Sequence, residues 1–343
     1  MNSLLRLCYN ETNSTRHCTT KLIQLGKGLM SKNVKLIMSL ALYAIILCIS
    51  ILLISRIFNS SAKQEYTGEV VYESIELSAP LYPSTPGNAV ADNKFVNIDF
   101  SNSSQGYISV RYKGDSEDAP VLKVNYGETE YTYILEGEDI FPLTCGDGIY
   151  TIRVYKQLPG GKYKSVINKT LTVELENQLL PYLYPSQLVK YTDSSITVQH
   201  SDSICDGIDS DLEKLKTVYN YIISNITYDY IKAANIERGY IPSVDSTYIT
   251  KTGICFDYSV MLATMLRAQR IPVKLVMGYL NGTAVFHAWN EVYLKDRGWV
   301  TVGIYIDMQK FTMLDTTLAS SQSDEVIAQK LKDPAVYMPT LRY

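Results

Sequence analysis

Thiol chemistry in this chain of 343 residues has few places to occur, because there are three histidines, His17, His200 and His287, and six cysteines. A thiol nucleophile needs an imidazole to take its proton and later return it to the leaving amine. Cys255 has the better setting among Cys145, Cys205 and Cys255: Thr252-Gly253-Ile254 leads into CFDYSVMLATMLRAQR, which predicts a helix from Cys255 that must end before Pro272. A thiol in a first helical turn meets free backbone N–H groups and the positive end of the dipole, and both lower its pKa. The same N–H groups could hold an oxyanion. On spacing alone, the competing reading is a cysteine that merely packs in the core. Its base is His200 or His287; the latter lies mid-strand on one face with Trp289, Glu291 and Tyr293, where a lone histidine also reads as a core residue.

The elements that must position these residues come next. Ser210 and Glu213 have capping-box spacing, and Leu212, Leu215, Val218, Ile222 and Ile226 recur at helical intervals, predicting a helix over 211–225. After the Cys255 helix, VKLVMGYL, the dipeptide Asn281-Gly282 and AVFHAWNEVYL predict a strand, a two-residue loop and a strand, with WVTV and IYI as a further pair. Helices followed by an antiparallel sheet make an α+β domain, placed at 186–320, with 321–343 as a C-terminal segment. Upstream, 66–175 has period-two patterning: YISVRYKG, VLKVNYGETEYTYIL, GIYTIRVYKQL and, after Pro159-Gly160-Gly161, KYKSVINKTLTVEL. That predicts an all-β, sandwich-like domain, read as a spacer or scaffold because it concentrates no catalytic residues.

The N-terminus differs from both. Residues 1–35 carry six Lys and Arg against Glu11, a net of +5, so the whole-chain charge of −3 leaves −8 for the rest. Leu36 to Ser55 is twenty uncharged residues, about 30 Å of helix, which predicts a transmembrane span in preference to a cleaved signal peptide. The basic flank places 1–35 in the cytoplasm and everything beyond Arg56 outside, in a single-pass protein of the cell membrane. Cys145, Cys205 and Cys255 are then the exported cysteines, an odd number with no disulfide framework. The charge balance gives no footprint for nucleic acid. No GxxxxGK[ST], HExxH, CxxC or GxGxxG pattern is present, so nucleotide, zinc and dinucleotide sites have no sequence basis and no cofactor is expected.

Gly253-Ile254-Cys255-Phe256-Asp257-Tyr258-Ser259, Met265-Leu266-Arg267, Ile271-Pro272, Gly278-Tyr279 and His287-Ala288-Trp289-Asn290-Glu291-Val292-Tyr293 together resemble the core of the transglutaminase-like superfamily, from about Leu212 to Thr317. The resemblance implies a papain-like fold with a Cys-His-Asp triad that forms a thioester with an amide carbonyl, Cys255 being the nucleophile and His287 the acid/base. In short members of the family the Asp follows the tryptophan strand as W-x-x-x-D, whereas here Trp299 is followed by Gly303 at that place. Phe311-Thr312-Met313-Leu314-Asp315-Thr316-Thr317 repeats the aromatic-x-x-x-Asp pattern downstream, so Asp315 is the expected third member, with Asp307 second. Calcium dependence of animal members is not carried over, because no acidic loop has calcium-ligand spacing.

The function expected is a membrane-anchored, extracytoplasmic transglutaminase-like cysteine enzyme acting on amides of proteins or cell-wall peptides at the cell surface. Water as acceptor makes it a protease or amidase, and an amine makes it an acyltransferase. The alternative is a non-catalytic surface adhesion or peptide-binding protein that uses the same fold as a scaffold.

Overall fold

The computed structural model describes residues 72–73, 75–115, 118–280, 286–303, 306–307, 312–313 and 337–343, with no side-chain description at 280, 306–307, 312–313 and 337–338. All of them belong to the compact unit Tyr72–Tyr343. The span predicted at Leu36–Ser55 lies outside the described residues, among which no helix is long and apolar enough to cross a membrane.

The order is β1 (Val90–Asp92), β2 (Val96–Asp99), β3 (Tyr107–Tyr112), β4 (Val121–Tyr126), β5 (Thr129–Ile134), β6 (Glu138–Pro142), β7 (Gly148–Leu158), β8 (Lys162–Val173), α1 (Ile196–Cys205), α2 (Asp211–Asn225), β9 (Thr227–Tyr228), α3 (Tyr230–Ala234), α4 (Val244–Thr250), β10 (Thr252–Gly253), α5 (Cys255–Ala268), β11 (Val273–Leu280), β12 (Phe286–Leu294), β13 (Gly298–Val302), β14 (Ile306–Asp307), β15 (Thr312–Met313) and β16 (Tyr337–Arg342). The β-rich half forms two antiparallel four-stranded sheets, β1-β2-β3-β6 and β5-β4-β7-β8. Alternation drives them: in β7 Tyr150, Ile152 and Val154 are buried while Thr151 and Arg153 are half-exposed. Both sheets contribute to one apolar cluster, Val96, Ile98 and Val110 from one and Leu122, Val124 and Ile152 from the other.

In the second half, α5 is the centre. Residues 257–268 are all buried, so the helix has no solvent face: α1, α2 and α4 pack on it from one side and β11 and β12 from the other. Its C-terminal end is tied down by Arg267, which donates to the carbonyls of Tyr184 at 2.7 Å and Val273 at 2.7 Å. Burial lowers this guanidinium to about 10, which still leaves it charged. The sheet order is β13-β12-β11-β16, all antiparallel. Glu291 of β12 reaches across the sheet, accepting from Lys274 of the adjacent β11 at 3.1 Å and from Arg342 of β16, one strand further on, at 3.0 Å.

Two strand expectations change. The segment 321–343, set apart in the sequence, returns through β16 as an edge of this sheet, and Tyr343 packs its ring on Tyr131 and Tyr133 of the β-rich half. A two-residue Asn281-Gly282 loop would place Tyr279 opposite Ala284, but the register pairs Tyr279 with Phe286; a shift of two keeps each side chain on its expected face. Of the expected pair WVTV and IYI, β13 pairs with β12, and Ile306, in β14, pairs with β15; residues 304–305 lie outside the described residues.

Candidate active site

Cys255 is the first residue of α5, and its position is fixed from both sides. Before it, the parallel bridge β9-β10 ties Thr252 to Thr227 and Gly253 to Tyr228. After it, Asp257 supplies the cap that Ile254, an apolar N-cap, cannot: its carboxylate accepts from the Ile254 N–H at 2.8 Å. This carboxylate is fully buried and compensated by Lys232 Nζ at 2.9 Å, by the Tyr240 hydroxyl and by Thr247 Oγ1 at 3.4 Å. Gly253 is required by the same packing, since a Cβ there would stand 2.7 Å from the Asp257 Cβ. Sequence reading missed this network; an acid at the third position of a helix whose N-cap has no acceptor was the available signal.

The histidine is brought in by β12. Asn290, 2% exposed, donates to the Ser259 carbonyl of α5 at 3.1 Å and the Lys274 carbonyl of β11 at 3.3 Å, locking strand to helix. β13 pairs with β12 only from Asn290 onward, where it faces Val302, so that edge of β12 is free of β13 at Ala288. The Ala288 N–H meets the Cys255 thiol there, as does the Phe256 N–H. His287 is thus one residue along the chain from a group that contacts the nucleophile.

The titration behaviour departs from the sequence expectation. Burial pushes the Cys255 thiol up, outweighing the Ala288 and Phe256 N–H groups that favour the thiolate. Burial likewise lowers His287 to about 4. Both groups are therefore neutral at pH 7, in place of the depressed thiol that a helix start alone predicts. His287 Nε2 is buried without a hydrogen-bond partner among the described residues, a costly state for a ring nitrogen. Asp315 lies outside the described residues, and so does the Asp307 side chain; Gly303 directly follows the β13 residue that faces Asn290.

The other candidates are placed elsewhere. His200, in α1, rests against the rings of Tyr221 at 4.3 Å and Tyr248 at 5.2 Å, and burial and Lys251 lower its pKa. Cys145 and Cys205 are free thiols, both raised by burial; in contrast to Cys255, neither begins a helix.

Residues 199–304 match the model of the Transglutaminase-like superfamily, and the chain carries a domain of that superfamily. The match encloses Cys255 and His287 and ends before Asp307 and Asp315; it lies inside the domain limits 186–320 and starts and stops earlier than the resemblance read from about Leu212 to Thr317. Among curated proteins, "Uncharacterized protein YebA" of Bacillus subtilis (strain 168) is 31% identical over 116 residues, which is 27% of this chain and 15% of the length of YebA. Among solved structures, a candidate cysteine protease from Cytophaga hutchinsonii is similar at 17% identity, covering 54% of this chain and 64% of that one, with a TM-score of 0.33. The periplasmic domain of TgpA from Pseudomonas aeruginosa is similar at 13% identity, covering 62% of this chain and 94% of that one, with a TM-score of 0.31.

Proposed function

We propose that the protein is a cysteine enzyme that attacks amide bonds of proteins or peptides through a thioester. The observation that carries this is the Cys255 thiol at the start of a buried helix, faced by the N–H groups of Phe256 and Ala288, with His287 next in the chain. Cys255 gives its proton to His287 as sulfur bonds to the carbonyl carbon, and the two N–H groups stabilise the oxyanion. Collapse breaks the C–N bond, His287 returns the proton to the departing amine, and the thioester passes its acyl group to water or a second amine as the thiol re-forms. A neutral imidazole of low basicity is a weak acceptor, so this step needs a carboxylate at the orphaned Nε2; Asp315 is assigned that role, with Asp307 as the alternative. We read the two β sheets as a sandwich that serves as scaffold. The sequence of charges supports a single-pass anchor at Leu36–Ser55 with the enzyme outside, which external protease on intact cells tests: protection of the domain until lysis overturns that topology.

The raised thiol and lowered imidazole favour a second reading, a non-catalytic peptide-binding protein on the same fold. Alkylation of the native protein separates the two. The enzyme reading expects iodoacetamide to label Cys255 far faster than Cys145 or Cys205 and His287→Ala to slow it; equal rates at all three thiols favour the scaffold.

A further inference from the structure

A cavity of about 300 Å³, whose lining includes neither Cys255 nor His287, is walled by both halves of the unit. Glu136, in the turn between β5 and β6, and Asp139 of β6 come from the β-rich half. Ser243, the N-cap of α4, and Asp245 in its first turn come from the helical half, and Gln187 and Lys190 from the segment joining the two. Three carboxylates thus stand against one ammonium. The Asp139 side chain is 7% exposed, yet its cation, Lys190 at 2.6 Å, is 65% exposed. A mostly solvated lysine is a loosely held partner, because keeping its long side chain in place costs rotamer entropy. Gln187, 2% exposed, commits its amide N–H groups to the Ile134 carbonyl at 2.7 Å and to Asp139 Oδ2 at 3.2 Å. No described residue donates to its Oε1, an unmet acceptor on a buried side chain of the cavity wall. Asp245 is held through Oδ1 by the Thr197 N–H at 3.1 Å and hydroxyl at 2.8 Å, which leaves its other oxygen open to a further donor.

We propose that this cavity is a binding site for a guanidinium group. Its wall has acceptors in excess and a negative balance, so the ligand it takes is a cation made of donors. An ammonium offers three N–H groups and is strongly hydrated, whereas a guanidinium offers five in a planar fork and gives up water more easily. The fork can meet a carboxylate and the Gln187 Oε1 together, and Lys190, already open to solvent, swings off Asp139 to admit it. Ligand pockets run from about 300 to 1,000 Å³, so this one has room for an arginine side chain and none for a helix or strand. The site does not depend on the thioester reading. It gives the β-rich half, which supplies two of the three carboxylates, a share in recognition besides its role as scaffold. An arginine of a protein segment and a free guanidine compound present the same chemistry to it.

The test is calorimetric titration of the full chain at low salt with acetyl-arginine amide and with acetyl-citrulline amide, its neutral isostere. The arginine probe should bind roughly tenfold tighter, the scale of a charge-assisted hydrogen bond. Asp139→Asn should weaken it about tenfold, and Glu136→Gln, at an exposed position, about threefold. Asp139 is buried and its loss could unfold the chain, so the deciding variant is Lys190→Met. Removing the internal competitor should tighten the arginine probe about tenfold, a gain that misfolding cannot produce. Lys164→Met, which removes an exposed charge from β8, controls for net charge and should leave binding unchanged. Equal affinity for arginine and citrulline, or no tighter binding in Lys190→Met than in Lys164→Met, overturns the site. Agmatine as a third probe separates the sources: a free guanidine ligand is indicated if it binds well above acetyl-arginine amide, and a peptide arginine if it does not.

Discussion

Lys232→Met tests whether the buried carboxylate behind the nucleophile needs its cation. Asp257 has no side-chain exposure, and breaking a buried ion pair from one side costs about 3–5 kcal/mol. Two features reduce that figure. The Lys232 side chain is 31% exposed, so water can enter where it was, and Ile254 N–H, Tyr240 and Thr247 continue to donate. The expected loss is about 2 kcal/mol, or roughly 4–8 °C in unfolding temperature for a unit of this size. Asp257→Asn retains an acceptor for Ile254 and should cost about 1–2 kcal/mol. The double variant should then lose about 1 kcal/mol less than the two singles together, since neither member is left unpaired. Urea unfolding at unchanged slope supplies the three values. A loss under about 0.5 kcal/mol for Lys232→Met, or strict additivity, would refute the claim that this pair holds the first turn of α5.

Three further outcomes are expected. Because burial holds His287 near pH 4 against about 6.5 unfolded, the unfolded chain binds more protons between those values, so stability falls as pH drops from 6.5 to 4, by up to about 3 kcal/mol, and His287→Gln flattens that part of the pH–stability curve; an unchanged slope contradicts the assignment. Gly253→Ala should cost about 1–3 kcal/mol in denaturant unfolding, since the Asp257 Cβ at 2.7 Å is pinned by its own hydrogen bonds. Asp315→Asn should lower turnover or Cys255 labelling by about 10² to 10⁴ while Asp307→Ala changes it little; the reverse order makes Asp307 the third member.

The elements legible in the sequence were those specified locally. Helix α2 runs over Asp211–Asn225, as its spacing predicts, with Ser210 accepting from the Glu213 N–H, and the β7-β8 hairpin turns at Pro159-Gly160-Gly161, both glycines having positive φ. Cys255 opens its helix where the Gly-Ile-Cys run places it. What escaped depends on distant partners: nothing around Asp257 announces Lys232 or Tyr240, and nothing in Tyr337–Arg342 announces β11. The thiol's pKa escaped for a related reason, since a helix start is a local feature and burial is set by the whole fold.

The two halves of the candidate site also differ in how they come together in time. Around the thiol, Asp257 finds Ile254, Thr247, Tyr240 and Lys232 at sequence separations of 3, 10, 17 and 25, all of them earlier in the chain. Asn290 reaches Ser259 from 31 residues later, carrying the histidine strand with it. Short loops close at lower entropic cost than long ones, so the nucleophile's cradle can assemble during folding before the β11-β12 hairpin docks. Reactivity should then appear as a late event in refolding, following the arrival of the strand and lagging behind the growth of helical signal.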